Sequence, residues 1–137
     1  MVWYPTARQI VDLHAIAMTE TGYMPRALVR PEGLESAVLR PQTHAAYEGL
    51  DLAGQAVQLA IGIAHAHAFE DGNKRTAFLA MEFFLARNGL LIESSDDTAG
   101  VLLLDVFRAE HGSLARDQAT GRFVAWVRTH TVSFPID

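Results

Sequence analysis

Residues 67–75 read HAFEDGNKR, from His67 to Arg75, in a chain otherwise dominated by alanine, leucine and valine. This stretch gathers an imidazole, two carboxylates, an amide, an ammonium and a guanidinium around Gly72. On both sides of it the apolar period is helical. Upstream, HAAYEGLDLAGQAVQLAIGIAHAH over 44–67 predicts one long helix with Leu52, Ala56, Leu59, Ala60 and Ile63 facing inward. Downstream, KRTAFLAMEFFLARNGL over 74–90 predicts another, apolar on nearly every side and closed by Asn88 and Gly89. The polar stretch is therefore the loop that enters a central, buried helix.

Helical signals continue toward both ends. Thr6, three residues before Gln9, makes a capping box for a helix that Gly22 stops, with Ile10, Leu13, Ile16 and Ala17 on one face. Residues 23–33 hold two prolines and end on Gly33, which predicts an irregular or hairpin-like loop. LESAVLRP over 34–41 predicts a short helix ended by Pro41. Asp96 or Asp97 would cap a helix over 98–112, and Ser113 a last one running to Thr129. The expected fold is all-α: a single domain over 1–137, a compact bundle of five to six helices with little or no sheet, its central helix following the polar loop.

Composition narrows the function classes. A chain of 137 residues, 50% hydrophobic, suits one domain with a real core. A net charge of −5 argues against a general nucleic-acid binder, which would show a basic face. The absence of cysteine excludes disulfides, thiolate catalysis and cysteine-bound zinc together. The first residues lack the basic segment of a signal peptide, and no apolar run approaches the roughly 18 residues of a membrane helix. A cytoplasmic protein without membrane contact is expected. The mean hydropathy of +0.11 is high for a small soluble domain, which suggests that a partner covers part of the surface.

The chemistry sits in the loop. A helix N-terminus offers unpaired N–H groups and a partial positive charge, an environment suited to anions. Gly72 allows a tight turn, and Asn73 is placed to cap the helix. Lys74 and Arg75 put two cations in its first turn, where the helix dipole disfavours them unless an anion is bound. Together they suggest a phosphate cradle, with arginine as a bidentate fork and lysine as a point charge. Asp71 is a hard oxygen ligand suited to magnesium shared with phosphates. His67 is a base available to take a proton from an incoming hydroxyl. A metal hydrolase built on His44, His65, His67 and Asp71 is a rival reading. Residues two apart on a helix point roughly 200° from one another, so His65 and His67 cannot chelate together unless the helix has already ended.

In order and spacing, HAFEDGNKR resembles the Fic/Doc signature, histidine-x-phenylalanine-x-acid-glycine-asparagine-x-arginine, in the Doc form with lysine before the arginine. Six specified positions match, a coincidence of about 10⁻⁸ per starting point. PTARQIVDLHAIAM resembles the first helix of Doc-type toxins, PEGLESAVLRPQ the segment after their active-site flap, and FFLARNGL the end of their central helix. The resemblance implies a Fic-fold bundle with His67 as general base and Asp71 as magnesium ligand. It implies that Asn73 and Arg75 bind nucleotide phosphates, with the backbone around Gly72 as an anion nest and Phe69 as structural anchor. Ala68 stands where many Fic proteins have proline, which puts the stiffness of the loop in question.

Position 74 separates two reactions in this family. Fic proteins that transfer AMP have glycine where this chain has Lys74, and the glycine leaves room for a second phosphate pocket. A lysine fills that space with a charge, and the Doc branch binds ATP the other way round to present its γ-phosphate. The resemblance therefore implies a kinase using Mg-ATP on a protein hydroxyl, by similarity a threonine of elongation factor Tu, with translation arrested. AMP transfer is the alternative. Many Fic proteins inhibit themselves through a helix carrying serine or threonine four residues before a glutamate that glycine or asparagine follows. Here Glu32 and Glu48 precede glycines, but Leu28 and His44 stand four residues earlier. The resemblance instead implies silencing by a Phd-like antitoxin whose disordered segment folds into a groove.

Overall fold

A computed structural model describes residues 1–94 and 96–135. Among them are six helices: α1 (Ala7–Glu20), α2 (Pro31–Glu48), α3 (Leu52–Ala66), α4 (Asn73–Arg87), α5 (Thr98–Arg108) and α6 (Leu114–Thr129). Two short strands, β1 (Leu90–Ile92) and β2 (Thr131–Ser133), pair antiparallel with Leu91 opposite Val132. The protein is all-α in class, and the small ribbon only ties the end of α6 to the end of α4. No helix among the described residues is long and apolar enough to cross a membrane.

Several helix ends lie where side-chain chemistry puts them. Thr6 and Gln9 exchange both bonds of the capping box at the start of α1. Ser113 accepts from the Arg116 amide at 3.1 Å to open α6. Asp97 occupies the cap position of α5, but it is Asp96 whose carboxylate accepts from the Thr98 amide. Asn88 and Gly89 close α4 through amide bonds back to Leu85 and Ala86.

Other boundaries differ from the sequence reading. Helix α2 starts at Pro31, includes Gly33 and runs through Pro41 to Glu48. Proline at the first helical position loses no bond that was available, so Pro31 starts the helix rather than prolonging the loop. Pro41 removes one helical bond, but its ring is buried with Leu34, Ala37 and Val38 on the inward face, and tertiary packing carries the helix past it. The long helix expected over 44–67 is broken at 49–51. Gly49 ends α2 in a left-handed turn, and Asp51 caps α3 by accepting from the Gly54 amide at 2.9 Å.

The centre of the bundle is α3, which precedes the polar loop, rather than the helix that follows it. Every residue from Ala53 to Ala64 is buried. It packs against α2, α4 and α6 and is enclosed on all sides. Helix α4 packs between α1 and α3 and buries a stripe of Thr76, Ala77, Ala80, Met81, Phe84 and Leu85. The apolar residues on its other flank, Phe78, Leu79 and Phe83, are only partly covered. In α1 the inward stripe is Ile10, Leu13, His14, Ala17 and Met18, while Ile16 remains 46% exposed. The buried face keeps Ile10, Leu13 and Ala17 but is turned so that His14, not Ile16, meets the core.

Candidate active site

The polar loop joins the two most interior helices, and its shape begins with one strained residue. His67 ends α3 with φ 46°, and it alone among the described non-glycine residues has a positive φ. That conformation costs about 1–2 kcal/mol for an L-residue and persists where surroundings enforce it. They do so here. The Arg30 guanidinium donates to the His67 carbonyl at 3.0 Å. The amides of Val29 and Arg30 both donate to the Ala68 carbonyl, at 2.7 and 3.0 Å, and the Glu70 amide donates to the Ala27 carbonyl. Leu28 and Phe69 are bridged in antiparallel fashion. The exposed segment 21–30 is therefore a flap laced to the loop along one edge, and it restrains a loop with alanine rather than proline at position 68.

The turn at His67 sends Ala68 and Phe69 into the core, where both are buried, and leaves the imidazole exposed. Phe69 stacks on His14 with ring centroids 3.8 Å apart and planes 4° from parallel. Its backbone is gripped from the other side by Asn73, whose Oδ1 accepts from the Phe69 amide at 3.1 Å. The Asn73 Nδ2 donates to the Phe69 carbonyl at 2.9 Å. Asn73 is thus the first residue of α4 and braces the loop. The cap position itself belongs to Gly72, which makes no side-chain cap bond.

Gly72 is required twice over. Its φ is 79°, and a Cβ there would stand 2.3 Å from Met18 Sδ and 3.2 Å from His14 Cε1. The Asp71 carboxylate accepts from the Gly72 amide at 2.8 Å through one oxygen, Oδ1.

His67, Asp71, Gly72, Asn73, Lys74 and Arg75 line one open cavity of about 430 Å³, with Ala64 and Glu70. The structure thereby brings together the polar residues of the loop from His67 to Arg75, and leaves Phe69 behind them as the anchor. His65 does not line this cavity; it is exposed and stacks loosely on Phe107 at 6.4 Å. No group of three or more His, Asp or Glu able to hold a metal is present among the described residues. A multi-ligand hydrolase centre is therefore not assembled there. One carboxylate with a free oxygen still suits magnesium, which takes one or two protein carboxylates and completes its shell with phosphate oxygens and water.

The charges in the cavity are unequally matched. Glu70 is taken by Arg26 of the flap at 3.0 Å. Among the described residues, neither Lys74 nor Arg75 forms an ion pair. The Arg75 guanidinium instead lies 4.5 Å from the centroid of the Tyr23 ring and reaches Met18 Sδ at 3.7 Å. A π face and a thioether hold a cation without neutralising it, so its charge remains available to an anion.

Sequence reasoning missed the support behind the loop. His14 is 2% exposed, accepts from the Arg26 amide at Nε2, and lies 2.9 Å from Thr76 Oγ1 through Nδ1. The Thr76 hydroxyl in turn donates to the Gly72 carbonyl at 2.8 Å. This chain requires a neutral imidazole with its proton on Nδ1. Burial pushes the His14 pKa below its ordinary value, with the Asp71 charge opposing. The signal available was positional only: His14 stands four residues after Ile10 on the buried stripe of α1.

Comparison with known proteins agrees with this geometry. A model of the Fic/DOC family matches residues 4–85, a span that includes α1, the flap, the polar loop and most of α4. A curated relative, the protein kinase doc of Escherichia phage P1, is 32% identical over 92 residues, 66% of this chain and 72% of the relative. By both matches, and by the loop geometry they enclose, the chain belongs to the Fic/DOC family.

Proposed function

We propose that this protein is a Doc-type toxin that transfers the γ-phosphate of ATP to a hydroxyl group of a protein. The observation that carries the reading is that His67, Asp71, Lys74 and Arg75 share one cavity at the start of a helix. His67 takes the proton of the acceptor hydroxyl as its oxygen bonds to the γ-phosphorus, and the bond from that phosphorus to the ADP oxygen breaks. Lys74 and Arg75, with the first amides of α4, hold the phosphates and disperse their charge. Asp71 would hold magnesium, which supplies charge neutralisation between the phosphates. The kinase name of the phage relative and the lysine at 74 favour this direction of ATP binding over AMP transfer.

By similarity within the Doc branch, the acceptor is a threonine of elongation factor Tu, and translation arrest follows. The partner is a Phd-like antitoxin that binds the toxin through a segment folding on its surface. The test is incubation with elongation factor Tu, magnesium and ATP labelled separately at the α and γ positions. Label is expected from γ-ATP alone, and His67→Ala should fold normally and lose about 10²-fold or more of the rate. Label from α-ATP would make the protein an AMP transferase, and full activity of His67→Ala would remove that residue from the chemistry.

A further inference from the structure

A second cleft, of about 580 Å³, opens between α2, α3 and the α5–α6 pair, and the family motif contributes nothing to it. Arg40 of α2 and Arg116 of α6 both line it. Arg40 is built into the fold. Its side chain crosses α3 at Gly62, where a Cβ would come within 3.0 Å of Arg40 Cδ. Its Nε donates to Oε1 of the buried Gln58 at 2.8 Å, which fixes the guanidinium plane and leaves both Nη groups uncommitted to that bond. Arg116 is held from the other wall, with its guanidinium 5.1 Å from the centroid of the Phe107 ring.

Neither arginine forms an ion pair among the described residues. Two carboxylates, Glu48 and Asp117, line the cleft with them, and among the described residues neither pairs with an arginine. Glu48 is held by His44, Asp51 is held by Arg128, and Asp117 sits in the first turn of α6, where it offsets the helix dipole. Burial, and then the charge of Arg116, push the Arg40 pKa below its ordinary value, and Glu48 opposes the shift. A partly buried cation beside a like charge normally carries a counter-ion, because desolvation and repulsion both penalise it. The cleft is lined by three arginines, Arg40, Arg116 and Arg128, against the carboxylates of Glu48 and Asp117, and Arg128 is paired with Asp51.

We propose that this cleft is a second anion site that binds a small phosphate ester, its phosphate seated between Arg40 and Arg116. Two guanidinium groups match the double charge of a phosphate monoester better than a single carboxylate, and each presents a planar fork to its oxygens. His111 lines the same cleft and adds a further donor. The cleft is larger than a phosphate alone requires, and Ile61, Val106 and Val124 give it an apolar wall for the organic part.

The proposal is tested on the full chain, with Arg75→Ala introduced to weaken phosphate binding at the motif loop. Amide shifts of Gly112, Arg116 and Gly121 are followed by nuclear magnetic resonance during titration with AMP, inorganic phosphate and adenosine. AMP should saturate these shifts, inorganic phosphate should do so more weakly, and adenosine should leave them unmoved. Arg116→Ala, whose melting curve verifies folding, should weaken AMP binding about tenfold or more, the scale of a lost charged hydrogen bond. Unmoved shifts with AMP, unchanged affinity in Arg116→Ala, or adenosine binding as tightly as AMP would each overturn the site. Phosphate binding as tightly as AMP would overturn the ester.

Discussion

Arg75 illustrates how a single side chain is kept ready without being spent. A carboxylate partner would fix the guanidinium but would compete with a phosphate for its charge. The Tyr23 ring and the Met18 thioether fix it at little electrostatic cost. A cation–π contact at an exposed site contributes about 0.5–1 kcal/mol, so Tyr23→Leu should weaken Mg-ATP binding by roughly two- to fivefold. Tyr23→Phe keeps the π face and should bind as the wild type does. Calorimetry on the three proteins checks this, and equal affinity in Tyr23→Leu would remove the flap tyrosine from the site. His14 plays the complementary part beneath the loop. Its two ring nitrogens meet the flap backbone and Thr76, and its face meets Phe69, so one buried residue joins α1, the flap, the loop and α4.

At the scale of elements, the decisive junction is the turn from the loop into α4. Gly72 has a left-handed backbone and a Cβ position already occupied by Met18 Sδ. Gly72→Ala therefore meets two penalties: the left-handed conformation, about 1–2 kcal/mol, and a clash that the flexible Met18 side chain only partly relieves. The expected loss is about 2 kcal/mol of stability, seen as a melting temperature several degrees lower. The same change should reduce transfer activity further than the lost stability explains, because it moves the amides at the start of α4. A melting temperature equal to that of the wild type would show that the turn has another conformation open to it. The same junction gives Asn73 its task. It grips Phe69 at both backbone groups, so the helix start and the anchor residue move together.

Taken whole, the molecule is organised around α3. Ala56, Leu59, Ala60 and Ile63 are fully buried, and α3 touches α2, α4 and α6. Helix α5 buries only Leu103 and Val106 and rests chiefly on α6. Hydrogen exchange should therefore find the α3 amides opening only with global unfolding, and those of α5 opening at a lower free energy. Equal protection of α3 and α5 would contradict this ranking. Because α3 is rigid, the residue at its end, His67, is presented from the least mobile part of the fold, while the flap that clamps its carbonyl lies on the surface.

What the sequence determined by itself were the features made within a few residues. Thr6 with Gln9, Ser113 with Arg116, and Asn88 with Gly89 end helices through bonds to close neighbours, and those neighbours are visible in the chain. The same holds for HAFEDGNKR, whose order already specified which polar groups share a turn and which family the chain belongs to. Tertiary structure decided what depends on partners distant in sequence. Helix α2 passes through Pro41 because its inward face is buried, against a local preference for stopping there. The enclosed helix is α3 because three other helices surround it, while one flank of α4 is only partly covered. The clamp on His67 comes from Arg30, the support under Phe69 from His14, and the like charge beside Arg40 from Arg116 across a cleft. Periodicity locates a helical face and capping locates a helix end, but neither carries the distance between residues that only packing brings together.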